Sequence, residues 1–371
     1  MLALTLTLLR YTVIMTNPNI ETKLPHSRAT GRSTLVDVAA LAGVTTMTVS
    51  RYLREPLRVA PGTSAKIQMA LETTGYTPNK QAGGLASGKS PVVAVVIPNV
   101  GNTLFAETVQ ALCEVFQAAG FELLISATGY HLQREEELVR AMLGWTPSAL
   151  IITGRQHTAA TLQMMRNARD RGTPVVELWD KAARSAEFIQ VGFNHHEAGV
   201  LMAQHLLDCG YTDLVYVDSG VPEDFRAHER GLGFAWQAQQ AGCRVETIVA
   251  PLIEPTAAGR AVLQQRLAAR PPQAPAQAIA FANDHLAIGA YLQAKDSGLG
   301  VPQSLAILGF GDLPLAKELG AGISTVVTHR HQMGCVAAAR ILLELGREMP
   351  SSMPWPSSDN LTPEIVRRSS T

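Results

Sequence analysis

The pattern of apolar and polar positions just after residue 33 predicts a short amphipathic helix. Apolar side chains recur there at helical spacing, at Leu35, Val38, Ala39 and Ala42. Gly43 ends the predicted helix, and Thr34 followed three residues later by Asp37 predicts a capping box with aspartate in place of glutamate. Local chemistry therefore predicts both ends of this helix.

A second helix is predicted to follow within a few residues. Thr45 can cap it, and Val49 and Leu53 would face inward. The side chains left to point outward are Thr46, Met47, Ser50 and Arg51. Two short helices joined through a glycine, the second exposing small polar groups and an arginine, fit the major groove of DNA. The alternative is a helical hairpin with no nucleic-acid role.

From residue 91 the pattern changes to alternating strands and helices. The predicted strands are Val92–Pro98, Phe121–Ser126, Ala149–Thr153, Val175–Leu178, Ile189–Gly192, Leu214–Asp218, Arg244–Ala250, Ile279–Ala282 and Ala306–Gly309. The predicted helices are Phe105–Ala119, Arg134–Leu143, Thr158–Arg171, His196–Cys209, Glu229–Ala241, Ala257–Ala269 and Asp284–Lys295. We therefore predict an α/β fold of doubly wound parallel sheets, with about six strands in the first sheet and a repeat after it, behind an all-α headpiece. Ligands of such sheets bind beyond the carboxyl ends of the strands.

Net charge is zero over the 371 residues, but the charge is unevenly placed. Between residues 30 and 90 the basic side chains are Arg32, Arg51, Arg54, Arg58, Lys66, Lys80 and Lys89, and the acidic ones are Asp37, Glu55 and Glu72. This local excess of positive charge is typical of a nucleic-acid-binding module on a neutral body.

The first residues and the cysteines bear on where the protein works. Residues Met1 to Ile14 are apolar, lack the basic start and cleavage site of a signal peptide, and are too few to span a membrane. We expect residues 1–32 to be a disordered extension, or translation to begin at Met15. The four cysteines, 113, 209, 243 and 335, lack CxxC or metal-like spacing, and we expect reduced, mostly buried thiols in a cytoplasmic protein.

The helix–turn–helix region resembles the LacI/GalR family of bacterial repressors. The matching strings are Asp37-Val38-Ala39, Ala42-Gly43-Val44, Thr48-Val49-Ser50-Arg51 and Gly75-Tyr76-Thr77-Pro78-Asn79, and the resemblance runs from about Thr34 to about Pro350. It implies a regulator that binds a pseudo-palindromic DNA operator as a homodimer, with a tetramer as the alternative. A small effector would bind between two lobes like those of periplasmic sugar-binding proteins. Release of the DNA by the effector is the commoner behaviour in the family, and recruitment to DNA is the alternative. Pro174–Asp180 and Val191-Gly192-Phe193 are similar to the gluconate-repressor branch.

The resemblance also divides the chain. We expect a headpiece at 33–79, a hinge at 80–90, an effector-binding and dimerisation domain at 91–350, and a proline-containing, irregular tail at 351–371, partly ordered against the body. In the family the hinge becomes a helix only on operator DNA, where the leucine matching Leu85 enters the minor groove. Gly83 and Gly84 each cost a helix about 1 kcal/mol relative to alanine. We therefore expect a hinge that orders less readily than most, with a flexible linker as the alternative.

The resemblance assigns the contacts with DNA. The side chains expected to contact bases are Thr46, Met47, Arg51 and Leu85. Arg51 is suited to a bidentate contact with guanine. Phosphates are expected to meet Thr34, Thr48, Arg54, Thr63 and Asn79. Ala60 replaces a usual serine, so the third helix should begin at Pro61 without a side-chain cap.

Effector-binding residues are expected at strand ends of the second domain. Family motifs assign Phe105, Arg230, Asn283, Asp284 and Arg330. The ends of other predicted strands add Arg155, His157, Glu177, Trp179 and Asp180. For each of these, an ordinary surface charge or an ion pair between the lobes is the alternative.

The sequence departs from the family at Gly311, where relatives carry an aspartate that holds a sugar hydroxyl; here Asp312 comes one place later. Loss of that carboxylate near Arg230 and Arg330 favours an anionic effector, such as gluconate or a ketogluconate, because arginine recognises carboxylates well. A neutral or phosphorylated sugar is the alternative.

The sequence gives little support for an enzyme, a metal-binding protein or a transport protein. No P-loop, GxGxxG, GxSxG or HExxH motif is present, and we predict neither an enzyme nor a cofactor. Glu135-Glu136-Glu137 fits a solvated helix face, and His195-His196 lacks a third metal ligand, so we predict no metal site. A transport binding protein is disfavoured because a secretion signal is missing and a basic headpiece is present.

Overall fold

The structure is a computed structural model that describes residues 33–77, 90–101, 103–182, 185–269, 277–351, 353 and 361–371. The chain forms two compact units, divided between Gly83 and Gly84. Residues 1–32, and Asn79 and Leu85 with residues 80–89 of the predicted hinge, lie outside the described residues.

The described part of the first unit consists of short helices that begin where the sequence predicted, and the first of them also ends there. They are α1 (Leu35–Ala42), α2 (Thr46–Arg54), a 3₁₀ turn (Pro56–Arg58) and α3 (Pro61–Thr74). The capping box is confirmed: the Asp37 carboxylate accepts hydrogen bonds from Thr34 N (2.7 Å) and Thr34 Oγ1 (2.8 Å). Gly43 ends α1 in the left-handed conformation, and Thr45 Oγ1 caps α2 by accepting from Thr48 N (3.2 Å). Ala60 makes no cap, as predicted, and Pro61 occupies the first turn of α3.

A small apolar core holds these helices together. Its buried members are Val38, Ala39, Ala42, Val49, Ile67 and Ala70. Leu53 is partly buried against them, so α2 turns the predicted face inward. The opposite face of α2 is left to solvent, and Met47 there is 70% exposed.

The second unit contains two parallel sheets that form two lobes. The first lobe has β1 (Val92–Ile97), β2 (Glu122–Ala127), β3 (Ala149–Thr153), β4 (Val175–Leu178) and β5 (Ile189–Val191), in the order β2-β1-β3-β4-β5. The second lobe has β6 (Asp213–Asp218), β7 (Arg244–Val249), β8 (Gln277–Phe281) and β9 (Leu305–Leu308), in the order β7-β6-β8-β9. Both orders place the first strand inside the sheet, as in doubly wound folds.

Helices cover both sheets. They are α4 (Thr103–Ala118), α5 (Leu132–Leu143), α6 (Ala159–Asp170), α7 (His195–Asp208), α8 (Phe225–Gln240), α9 (Pro255–Ala269), α10 (Asp284–Asp296), α11 (Pro314–Glu318) and α12 (Arg330–Glu344). Although α12 comes late in the chain, it packs on α4 of the first lobe. The chain therefore passes from the first lobe to the second after β5 and returns before α12.

One prediction about the sheets is wrong. The first sheet has five strands rather than six, because the strand near Leu214 begins the second sheet. The tail is partly ordered against the body, as expected, through a strand that the sequence did not predict: β11 (Glu364–Val366) pairs antiparallel with β10 (Thr325–Val327). Ser370 and Thr371 are buried: Ile307 N donates to Ser370 O (2.8 Å), and Ser370 Oγ donates to Ile307 O (2.5 Å).

Helices α7 and α8 of the second lobe touch through glycines. A Cβ on Gly199 of α7 would overlap the Arg230 carbonyl of α8, and a Cβ on Gly233 of α8 would overlap the His196 carbonyl of α7. The two backbones can approach this closely only because both positions lack a side chain.

The four cysteines are free thiols, and each is of intermediate exposure. In the described part of the chain, no helix combines the length and apolar character needed to cross a bilayer.

Candidate functional site

Two adjoining cavities lie in the cleft between the lobes of the second unit, beyond the carboxyl ends of the strands. The first, here called the aromatic cavity, is lined among others by Phe105, Trp179, His195, Arg230, Asn283 and Phe310. The second, the polar cavity, is lined among others by Thr128, Glu135, Gly154, Arg155, Asp180 and Glu223. Tyr130 and Arg226 line both. The position agrees with the general location of ligands in doubly wound sheets.

Aromatic rings form one wall of the aromatic cavity. Phe105, on the first turn of α4, meets Trp179 edge-on with ring centroids 5.3 Å apart. Trp179 follows β4 in a left-handed conformation and meets Phe193 at 6.3 Å. Such a wall can pack against the C–H faces of a polyol or sugar.

Arg230 is buried, and both of its terminal nitrogens donate within the protein, whereas its Nε has no hydrogen-bond partner among the described residues. Its Nη1 donates to His195 Nδ1 (2.8 Å), its Nη2 donates to Ala282 O (2.7 Å), and its guanidinium lies 3.9 Å from the Phe310 ring centroid. Burial, and then the positive charge of Arg230, lower the pKa of His195 well below its usual value. The neutral ring accepts from Arg230 at Nδ1 and donates from Nε2 to Trp179 O (2.8 Å), which fixes one tautomer.

Asn283 occupies the end of β8 and caps α10. Its Oδ1 accepts from Leu286 N (3.1 Å), so the cap fixes the side chain at the cavity wall. The amide NH₂ group is the donor end of the side chain and can donate a hydrogen bond at the cavity wall.

Arg226 is a cavity residue that the sequence analysis missed. It lies one helical turn before Arg230 on α8, and residues four apart share a helix face. That spacing was the available signal. Arg226 reaches from the second lobe to Gly154 of the first lobe: a Cβ on Gly154 would lie 2.7 Å from Arg226 Nη1.

Arg155 and Asp180 line the polar cavity and join the lobes. Arg155 Nε donates to Asp180 Oδ1 (3.1 Å) in the first lobe, and its Nη2 donates to Glu229 Oε1 (2.5 Å) in the second. Burial raises the pKa of Asp180, although Arg155 opposes this. A second link joins the lobes where Leu132 N donates to Glu223 Oε2 (2.6 Å).

His157 and Glu177 do not line either cavity. They form a buried cluster inside the first lobe, where His157 Nδ1 lies 2.8 Å from Glu135 Oε1 and His157 Nε2 lies 3.6 Å from Glu177 Oε1. Glu177 also accepts from Gln190 Nε2 (2.5 Å). Burial alone would lower the pKa of His157, but the hydrogen bond and charge of Glu135, with the charge of Glu177, raise it to about 9.

Asp284 and Arg330 also lie outside the cavity linings. Asp284 is buried and accepts from Thr325 Oγ1 and Leu313 N, each at 2.7 Å, which fixes the loop after β9. Burial raises the pKa of this carboxyl to about 6. Arg330 donates to Gly311 O, to Asp312 O (3.2 Å) and to Glu107 Oε1 (2.5 Å). It therefore ties α4 and α12 of the first lobe to the second lobe.

The departure at Gly311 has a steric explanation. Its φ is +126°, and a Cβ there would lie 2.7 Å from Leu104 Cδ1. Asp312, one place later, turns away and pairs with Lys317 Nζ (3.0 Å) and Arg368 Nη2 (2.5 Å). No carboxylate from this loop lines either described cavity.

A larger groove lies at the opposite edge of the first lobe, where β1 and β3 begin. Ser90, Phe121, Ser148 and Arg171 are among its lining residues. This groove lies at the amino ends of the strands, whereas ligands of doubly wound sheets bind beyond the carboxyl ends.

The exposed face of α2 carries the predicted base-reading residues of the headpiece. Thr46, Met47 and Arg51 are all exposed there. Among the predicted phosphate contacts, the Thr34 hydroxyl is occupied by the capping box, and Thr48 Oγ1 lies 3.0 Å from Thr45 Oγ1. Arg54 is exposed and its Nε donates to Ser50 O (3.3 Å), while Thr63 is half-buried. These DNA contacts stay predictions.

Each of the two units matches a known protein family. Residues 34–79 match the family described as "Bacterial regulatory proteins, lacI family", and residues 203–371 match the "Periplasmic binding protein-like domain". The chain is 37% identical over 330 residues to the HTH-type transcriptional regulator GntR of Pseudomonas aeruginosa, covering 88% of this chain and 94% of that one. It is 32% identical over 317 residues to GntR of Escherichia coli, covering 85% and 93%.

A solved structure is similar over nearly the same length. The crystal structure of a LacI family transcriptional regulator from Silicibacter pomeroyi has a TM-score of 0.80 and 32% identity, covering 91% of this chain and 99% of that one. A headpiece with an exposed helix, joined to two parallel-sheet lobes around a cleft, defines a DNA-binding transcriptional regulator rather than an enzyme. The chain belongs to the LacI family of bacterial regulatory proteins, and its relatives named GntR place it in the predicted gluconate-repressor branch.

Proposed function

We propose that this regulator binds a pseudo-palindromic operator as a homodimer in the cytoplasm and releases it when a sugar acid binds in the cleft. The observation that carries the effector proposal is the pairing of an aromatic wall with two arginines, Arg226 and Arg230, at the carboxyl ends of the strands. Aromatic faces suit a carbon chain with hydroxyl groups, and guanidinium groups suit a carboxylate. Gluconate and ketogluconates combine both features.

The headpiece supports DNA binding by its charge and its exposed α2. We propose that Arg51 reads guanine and that Met47, 70% exposed, contacts a thymine methyl group. One headpiece offers few base contacts, so specific binding requires two headpieces on symmetric half-sites.

An exposed apolar segment supports self-association of the second unit. Val249, Leu252 and Ile253, at the end of β7, are 68%, 72% and 55% exposed. Three large apolar side chains exposed within five residues are unusual on a surface that faces only water. We propose that a second copy of the chain covers them.

The test begins with selection of a binding site from a random DNA pool by the full-length protein. Fluorescence anisotropy then compares the selected palindrome with a scrambled duplex, with and without D-gluconate. We expect tight, salt-dependent binding of the palindrome only, and release on adding D-gluconate. Equal affinity for both duplexes would refute operator recognition, and release by neutral sugars but by no sugar acid would refute the proposed effector class.

Light scattering tests the assembly separately. The wild-type protein should run as a dimer, and Leu252→Asp should shift it towards the monomer. A wild-type monomer at micromolar concentration would contradict the proposed dimer.

A further inference from the structure

We infer that Arg226 is the residue that receives the effector's carboxylate and thereby sets the preference for an acid over its neutral counterpart. This inference rests on the proposed function and goes further by separating the roles of the two cavity arginines. The sequence alone predicts that an anionic effector binds near Arg230 and Arg330.

The hydrogen bonds of the three arginines are the first argument. Both terminal nitrogens of Arg230 donate within the protein, to His195 and Ala282. The terminal nitrogens of Arg330 donate to two carbonyls and to Glu107. Neither guanidinium has a terminal nitrogen left without an acceptor.

Arg226 differs because it is largely shielded and, within the part of the chain that the structure describes, donates no hydrogen bond to an acceptor. Its side chain is only 12% exposed, and among the described residues its nearest carboxylate oxygen is Asp224 Oδ1, 3.8 Å from Nη2. That separation is too long for a hydrogen bond. A largely shielded guanidinium without a protein acceptor depends on the little water that reaches it, and a bound anion would replace that water with charge-assisted hydrogen bonds.

The position of Arg226 is the second argument. It is shared by the aromatic and polar cavities, and it starts α8 in the second lobe while touching Gly154 at the end of β3 in the first lobe. A carboxylate held there would leave the attached carbon chain beside Phe105, Trp179 and the Asn283 amide. The same contact would bridge both lobes, so charge recognition would favour the closed cleft.

The charge of the surroundings favours a single negative charge on the ligand. Asp180, Asp224 and Glu223 all lie around the junction of the cavities. A doubly charged phosphate would meet more repulsion from them than a carboxylate does. A neutral ligand would offer Arg226 only uncharged oxygen acceptors, which bind a guanidinium less strongly than a carboxylate does.

Isothermal titration of the full-length protein with D-gluconate and with D-gluconamide, its neutral amide, tests the inference. We expect the wild-type protein to prefer D-gluconate by roughly 10- to 100-fold, since hydrogen bonds to charged groups are the strong ones. Arg226→Gln should lose that preference by weakening D-gluconate binding alone, and Arg226→Lys should restore part of it. Arg244→Gln is the matched control, because it removes one exposed positive charge at the opposite end of the same lobe's sheet.

Operator binding without effector should be the same in all variants, which shows that they are folded. If Arg226→Gln keeps the wild-type preference for D-gluconate, Arg226 is not the carboxylate receptor, although the proposed sugar-acid effector survives. If the wild-type protein binds neutral sugars but none of D-gluconate, 2-ketogluconate or 5-ketogluconate, both the proposed effector class and this inference are wrong.

Discussion

Replacing His157 by glutamine should make the protein less stable by an amount that depends strongly on pH. His157 is fully buried between Glu135 and Glu177, and its pKa is raised from 6.5 to about 9. That change corresponds to about 3 kcal/mol in favour of the folded state. The contribution is complete below pH 6.5, where the histidine is protonated in both folded and unfolded chains. It falls as the pH rises and is lost above about pH 9.

Urea unfolding of wild type and His157→Gln, followed by tryptophan fluorescence at about pH 6, 7.5 and 9.5, measures this contribution. We expect the variant to be less stable by roughly 3 kcal/mol at the lowest pH and by little at the highest. His331→Gln is the control, since it removes an exposed histidine that pairs with Glu114 at 3.2 Å. It should cost well under about 1 kcal/mol at every pH. Parallel stability curves for wild type and His157→Gln across this range would refute the assignment of a buried, charged His157.

Three further predictions concern single contacts. Thr34→Ala should destabilise the first unit by about 1 kcal/mol, because Asp37 N loses its capping oxygen. Calorimetry should show a lower unfolding temperature for the headpiece, and an unchanged temperature would contradict this. Gly154→Ala should weaken D-gluconate binding by displacing Arg226. In a protein that already carries Arg226→Gln, it should have no further effect on D-gluconate binding. Equal effects in both backgrounds would show that backbone strain at φ +90° is the whole cause. Arg330→Met should lower the free energy of unfolding, measured in urea, by about 3 kcal/mol, because it leaves carbonyl oxygens unpaired. Small-angle scattering should show a more open cleft. If neither measurement changes, Arg330 does not hold the lobes together.

The features that sequence predicted well are those fixed by neighbours in the chain. The cap at Thr34 depends on Asp37 three residues away, and the end of α1 depends on Gly43. Strand positions followed from β-branched runs such as Val92–Ile97, because a run buried on both faces needs apolar side chains throughout.

The features that sequence missed depend on partners far away in the chain. Alternating strands and helices do not show which sheet a strand joins, so the first sheet was expected to have one strand too many. The three-residue strand Glu364–Val366 is too short to show a period and exists through its pairing with Thr325–Val327.

The candidate site was predicted only in part, because partners far away in the chain decide which side chains face the cavities. Phe105, Arg230 and Asn283, assigned from family motifs, line the aromatic cavity together with Trp179, which follows a strand. A polar residue at a strand end can equally face a partner within its own lobe, and His157 does so. Nothing local in the sequence distinguishes these two outcomes.

The interlocked glycines of α7 and α8 have a consequence for altering what this regulator senses. Gly199 and Gly233 leave no room for either helix to slide or rotate against the other, so Arg226, Arg230 and His195 are carried on one stiff frame. A new inducer specificity should therefore be sought by exchanging side chains such as Arg226 on an unchanged frame. Libraries that vary the two glycines would mostly yield misfolded clones.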